Sequence, residues 1–135
     1  MKFNSQICTT KEQSERLLAL GLKKETADMY YLDYGPIGLI PQIKDIKTIL
    51  EEDDIPAWSL HRLIEMLPKE MFHQAKQWHL FLSLCYEDAI SYEECDSSQP
   101  CYLHFCSSDN IYDNIIETIE WLIGEGYFNK DYLEE

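Results

Sequence analysis

The chain has 135 residues, 45% hydrophobic and 27% charged, with eleven Lys and Arg against twenty-five Asp and Glu for a formal charge of −14. This composition excludes a disordered chain and suits one domain that buries its core without disulfides or metal. So acidic a surface repels a phosphate backbone or an anionic membrane, which are bound largely through Lys and Arg.

The first predicted element is a short helix in "TTKEQSERLLALG". Thr9 with Glu12, or Thr10 with Gln13, offers a capping box, and Gly21 a left-handed stop. "ETADMYYLDYGPIGLIPQ" reads as a loop with room for one short strand around Tyr30, Tyr31 and Tyr34. Beyond Pro41, Ile43, Ile46, Ile49 and Leu50 recur at helical spacing and predict a helix. "EEDD" reads as a solvated connector, since it lacks the alternating oxygen ligands and turn glycine of a calcium loop. A second helix, with Asp53 or Asp54 before it and Pro56 in its first turn, carries Leu60, Leu63, Ile64 and Leu67 as a stripe and ends at Pro68.

The middle third reads as an antiparallel meander, with "KEMFHQ" as a short edge strand before "WHLFLSLCY", "AISYEEC" and "CYLHFC". Leu80, Leu82, Leu84, Ile90, Tyr92, Leu103 and Phe105 are expected to share the core face, with Leu84 opposite Tyr92 and Tyr92 opposite Leu103. His79, Phe81, Ser83, Cys85, Ser91, Tyr102, His104 and Cys106 then share the other face. That face is too apolar and aromatic to stand in water, so the N-terminal segment or a partner should cover it. The last helix carries Ile111, Ile115, Ile119, Leu122 and Ile123 as its stripe, with Glu117 and Glu120 toward water. Ser108, Asp109 or Asn110 would cap its start and Gly124 or Gly126 its end, and "FNKDYL" adds a final turn. The expected fold class is α+β: one acidic domain, 1–135, with a three- or four-stranded antiparallel meander. The C-terminal and Leu60 helices pack on one face of it.

"EECDSSQPCYLHFC" gathers three of five cysteines and one of four histidines. A thiol nucleophile needs a base within hydrogen-bond reach, yet Cys85 and His104 sit two strands apart, about 10 Å at the backbone. Zinc sites favour short paired spacings, whereas Cys95, Cys101 and Cys106 are separated by six and five positions, on opposite faces. A Cys95–Cys101 disulfide fits geometrically but not a reducing cytoplasm. His61 and His73 have no partner at ligand spacing, and phosphate loops and nucleophile elbows are missing. No catalytic, cofactor-binding or metal residue is therefore assigned, and the hairpin reads as ordinary buried and half-buried cysteines.

Three stretches carry a resemblance: "CTTKEQSERLLALGLKKETADM" (8–29), "DIPAWSLHRLIEMLP" (54–68) and "NIYDNIIETIEWLIGEGYFNKDYL" (110–133). Together they resemble a family of small uncharacterised proteins from gut Bacteroidales and their phages or mobile elements. The resemblance implies a bacterial or phage cytoplasm and supplies no catalytic residue. The start, "MKFNSQICTTKEQSE", lacks the apolar core of a signal peptide, and no apolar run approaches a membrane span. The leading expectation is a non-enzymatic interaction or regulatory protein with an unknown protein partner, for which a basic one fits the charge. The alternative is an inhibitor that mimics nucleic acid, although scattered carboxylates favour solvation over an array. A thiol or metal-dependent enzyme comes third.

Overall fold

Thr10 opens the first helix. Its hydroxyl accepts from the Gln13 amide and the Gln13 side chain accepts from the Thr10 amide, so α1 (Lys11–Ala19) starts on the second of the two capping boxes. It stops before Gly21, whose φ of +99° suits a residue without a Cβ. The computed structural model describes residues 5–84, 88–94 and 101–135, which form an α+β fold with three α-helices and two antiparallel sheets. Two compact units result, Met1–Ile64 with Lys130–Glu135, and Glu65–Asn129.

In the first unit β1 (Met29–Asp33) pairs with β2 (Leu39–Ile43) on one side and β3 (Ile55–Ala57) on the other. The short strand expected around Tyr30 and Tyr31 is thus the centre of a three-stranded sheet, and Tyr34 lies just beyond it. Met29 and Ala57 bury a small core with Cys8, and Tyr31 packs against it, its hydroxyl donating to the Thr9 carbonyl at 2.6 Å. Trp58 is fully buried, and its indole N–H donates to Thr26 Oγ1 at 3.0 Å, as a buried tryptophan requires.

The helix expected over Ile43 to Leu50 does not form. Ile43 ends β2 opposite Met29, and the Asp45 carboxylate then accepts from the Lys47 amide and the Thr48 hydroxyl. Such side-chain bonds offer the backbone a turn in place of a helix. Ile43, Ile46 and Ile49 are 81%, 100% and 86% exposed, so their three-residue spacing marks no buried stripe. The acidic connector is tied down by Lys24, whose ammonium donates to the carbonyls of Glu51, Glu52 and Asp54. Pro56 belongs to β3, and the helix α2 (Leu60–Met66) begins at Ser59, whose hydroxyl accepts from the Arg62 amide. Neither Asp53 nor Asp54 caps it.

The second unit holds the meander in the order β4 (Glu70–His73), β5 (Trp78–Leu84), β6 (Ile90–Glu94), β7 (Cys101–Cys106). The long helix α3 (Ile111–Glu125) packs on one face, against β6 and β7. Asn110 caps its start by accepting from the Asp113 amide, and Gly126 ends it in the left-handed conformation. Ile115, Ile116, Ile119 and Leu122 are fully buried, as are Leu80, Ile90 and Tyr92. The Tyr92 hydroxyl donates to the Pro68 carbonyl at 2.7 Å.

Register decides which side chains share a face. On β5 and β6, Leu82 faces Tyr92 and Leu84 faces Ile90, a slip of two from the expected pairing that preserves every face. Leu84 ends its strand 48% exposed, outside the core. On β6 and β7, Glu94–Cys101 and Glu93–Tyr102 follow the expected register. A β-bulge then inserts Leu103, and beyond it Tyr92 faces His104, Ser91 faces Phe105 and Ile90 faces Cys106. That one-residue shift reverses the expected faces. His104 and Cys106 turn under α3, and Phe105 turns away from it. Cys85, Glu87 and the second turn, residues 95–100, lie outside the described residues.

Candidate functional site

Two places in the second unit gather chemistry-bearing side chains. The first is the cysteine hairpin, where the bulge brings His104 and Cys106 beneath α3. The Cys106 thiol donates to Glu117 Oε2 at 2.9 Å and to Asn114 Oδ1 at 3.4 Å. A carboxylate beside the sulfur opposes the thiolate, whereas a nucleophilic cysteine needs positive charge there. The Thr118 hydroxyl donates to the Asn114 carbonyl at 2.8 Å, so its oxygen, 3.1 Å from His104 Nε2, accepts that ring proton. His104 also stacks on Trp121 at 4.5 Å, and burial holds its pKa below the ordinary 6.5, with Glu117 opposing in part. The ring is neutral and held from two sides. Among the described residues, no three His, Cys, Asp or Glu side chains converge as a metal set. This cluster ties β7 to α3, and its geometry is that of a packed core.

The second place is the sheet face turned away from α3. Pairing puts Glu70, Phe81, Glu93 and Tyr102 in one row across all four strands. Phe72 and His79 form the row on one side of it, and Ser83, Ser91 and Phe105 the row on the other. Phe72, Tyr102 and Phe105 are 43%, 47% and 55% exposed. The rings are paired rather than loose: His79 stacks on Phe81 at 4.8 Å, and Tyr102 tilts on Phe105 at 5.5 Å. His79 Nε2 lies 3.6 Å from Glu70, with both side chains half or more exposed. The four strands carry no Lys or Arg.

Of the residues expected opposite the core, His79, Phe81, Ser83, Ser91 and Tyr102 do share this face, and His104 and Cys106 do not. Glu70 and Glu93 follow from simple alternation in "KEMFHQ" and "ISYEE". Alternation placed Phe105 on the core face instead, because nothing in "CYLHFC" announces the bulge.

In the first unit, a cavity of about 430 Å³ is lined by Lys23, Lys24 and Lys44 together with Glu25, Glu134, Thr48, Ile49 and Leu50, so carboxylates offset part of its positive charge. The ammonium groups of Lys24 and Lys44 already donate to five backbone carbonyls between them, which makes them structural ties. His61 is exposed on α2, and His73 is half-buried, its ring 6.5 Å from that of Tyr127. No helix among the described residues is long and apolar enough to cross a membrane. No protein-family model, curated protein or solved structure matches the chain.

Proposed function

We propose that this chain is a non-enzymatic interaction or regulatory protein of a bacterial or phage cytoplasm, binding another protein through the open face of its four-stranded sheet. One observation carries the reading: Phe72, Tyr102 and Phe105 stand 43–55% exposed on one continuous face, interleaved with Glu70 and Glu93. Aromatic rings exposed together mark binding surfaces, because water gains by their removal and rings dominate interface energetics. An enzyme reading finds less support, since the Cys106 thiol faces the Glu117 carboxylate, whose negative charge opposes a thiolate nucleophile.

Mimicry of nucleic acid remains the second reading. Its support is the crowding of twelve Asp and Glu, against two Lys, into residues 65–129. Exposed rings between the carboxylates favour side-chain recognition over an imitation of phosphates.

The test is a photo-crosslinking amino acid placed at Phe105, and separately at Glu125 on the water side of α3, in growing cells. A discrete adduct from position 105 and none from 125 is expected. Equal adducts from both, or none from either, would overturn the reading. Loss of the adduct when duplex DNA is added to a cell lysate before irradiation would turn the choice to mimicry.

A further inference from the structure

The open face also specifies the chemistry of what binds it. Its central row runs Glu70, Phe81, Glu93, Tyr102, alternating carboxylate and ring across four strands. Neighbouring strands lie about 4.8 Å apart, so each carboxylate has an aromatic ring one strand away on the same surface. Phe72 and Phe105 extend the aromatic surface on either side of that row. The surroundings reinforce the sign. Residues 65–129 hold twelve Asp and Glu against Lys69 and Lys76, so they carry −10 of the chain's −14. Lys76 is turned to its own neighbour, with its ammonium 4.4 Å from the centre of the Trp78 ring.

We propose that this face docks an arginine-rich segment of a partner protein. This rests on the open face being the binding surface, and names what it binds. A guanidinium is planar and stacks on an aromatic ring while its edge donates to a carboxylate, so a ring beside a carboxylate satisfies both of its modes at once. A lysine ammonium has no plane to stack and holds its water more tightly. A second copy of the chain fits poorly, because two such faces would set carboxylates against carboxylates. Nucleic acid is repelled by the same charge. The −10 body draws a cationic segment in, and the ring-and-carboxylate row then selects arginine.

The probe is fluorescein-labelled nona-arginine, with nona-lysine of equal charge as its control, titrated by anisotropy at physiological ionic strength. Nona-arginine is expected to bind at least about five-fold more tightly than nona-lysine, a difference of about 1 kcal/mol. Glu93→Gln and Tyr102→Ser should each weaken nona-arginine by at least about five-fold, while Glu125→Gln, an equal charge change on α3, should alter it by less than about two-fold. Circular dichroism melting curves close to that of the parent protein establish that each variant is folded. Equal affinity for the two peptides, or equal loss from Glu93→Gln and Glu125→Gln, would reduce the interaction to diffuse charge and overturn the proposal. A crosslinked partner at Phe105 that has no basic segment would overturn it too, yet leave the binding face itself standing.

Discussion

His104 is where a single side chain has the most measurable consequence. Its neutral form donates to Thr118 and stacks on Trp121, and burial, the larger influence, holds its pKa below 6.5 against the pull of Glu117. The unfolded chain takes up the proton first, so this stability is intact above about pH 6.5 and is lost as pH falls through the lower, folded value. The melting temperature should therefore decline more steeply between neutral and mildly acidic pH in the parent protein than in His104→Gln. Parallel declines would show that the ring titrates as it would in water. The thiols divide in the same way. Cys8 is buried with its pKa pushed up by desolvation, whereas Cys101 is only half-buried. Iodoacetamide at mildly alkaline pH, followed by peptide mapping, should label Cys101 well before Cys8, because the thiolate is the reacting form. Cys8 labelled first would place it outside the core.

At the scale of elements, local signals were legible wherever one interaction governs a boundary. Thr10 with Gln13, Gly21, Asn110 and Gly126 mark helix ends by chemistry that the sequence displays openly. The stripe of Ile115, Ile119 and Leu122 was equally plain, and all three are fully buried. Ile119→Ala should cost about 2–5 kcal/mol, through lost transfer energy and the cavity left behind. Glu120→Ala, on the exposed side of α3, should change stability by less than about 0.5 kcal/mol. Chemical denaturation of the two variants measures the difference, and equal effects would mean that the helix face is misassigned. Where pairing partners lie far apart, legibility failed. Ile43, Ile46 and Ile49 match a helical period, but β1 claims Ile43 as a strand partner and Asp45 claims the next turn. The Leu103 bulge is a product of strand pairing, so Phe105 and His104 could not be assigned to faces from alternation alone.

For the molecule as a whole, most of the net charge and the exposed rings Phe72, Tyr102 and Phe105 lie in one unit. A chain reading of −14 spread over 135 residues suggested plain solvation. The fold divides it unevenly, with −10 on residues 65–129, which also carry the aromatic face. The α+β class and the meander order were legible, because the alternation in β5 and β6 and the stripe of α3 are borne by continuous elements. The three-stranded sheet of the first unit was not, since β3 is only three residues long and contains Pro56. The central claim is that the open sheet face, rather than the cysteine hairpin or diffuse acidity, is the working surface. Amide and side-chain chemical shifts followed by NMR during titration with nona-arginine test it most directly. Shift changes should concentrate at Glu70, Phe72, Phe81, Glu93, Tyr102 and Phe105. Changes spread evenly over the acidic residues, with Glu51 to Asp54 and Glu125 moving as far as Glu93, would contradict it.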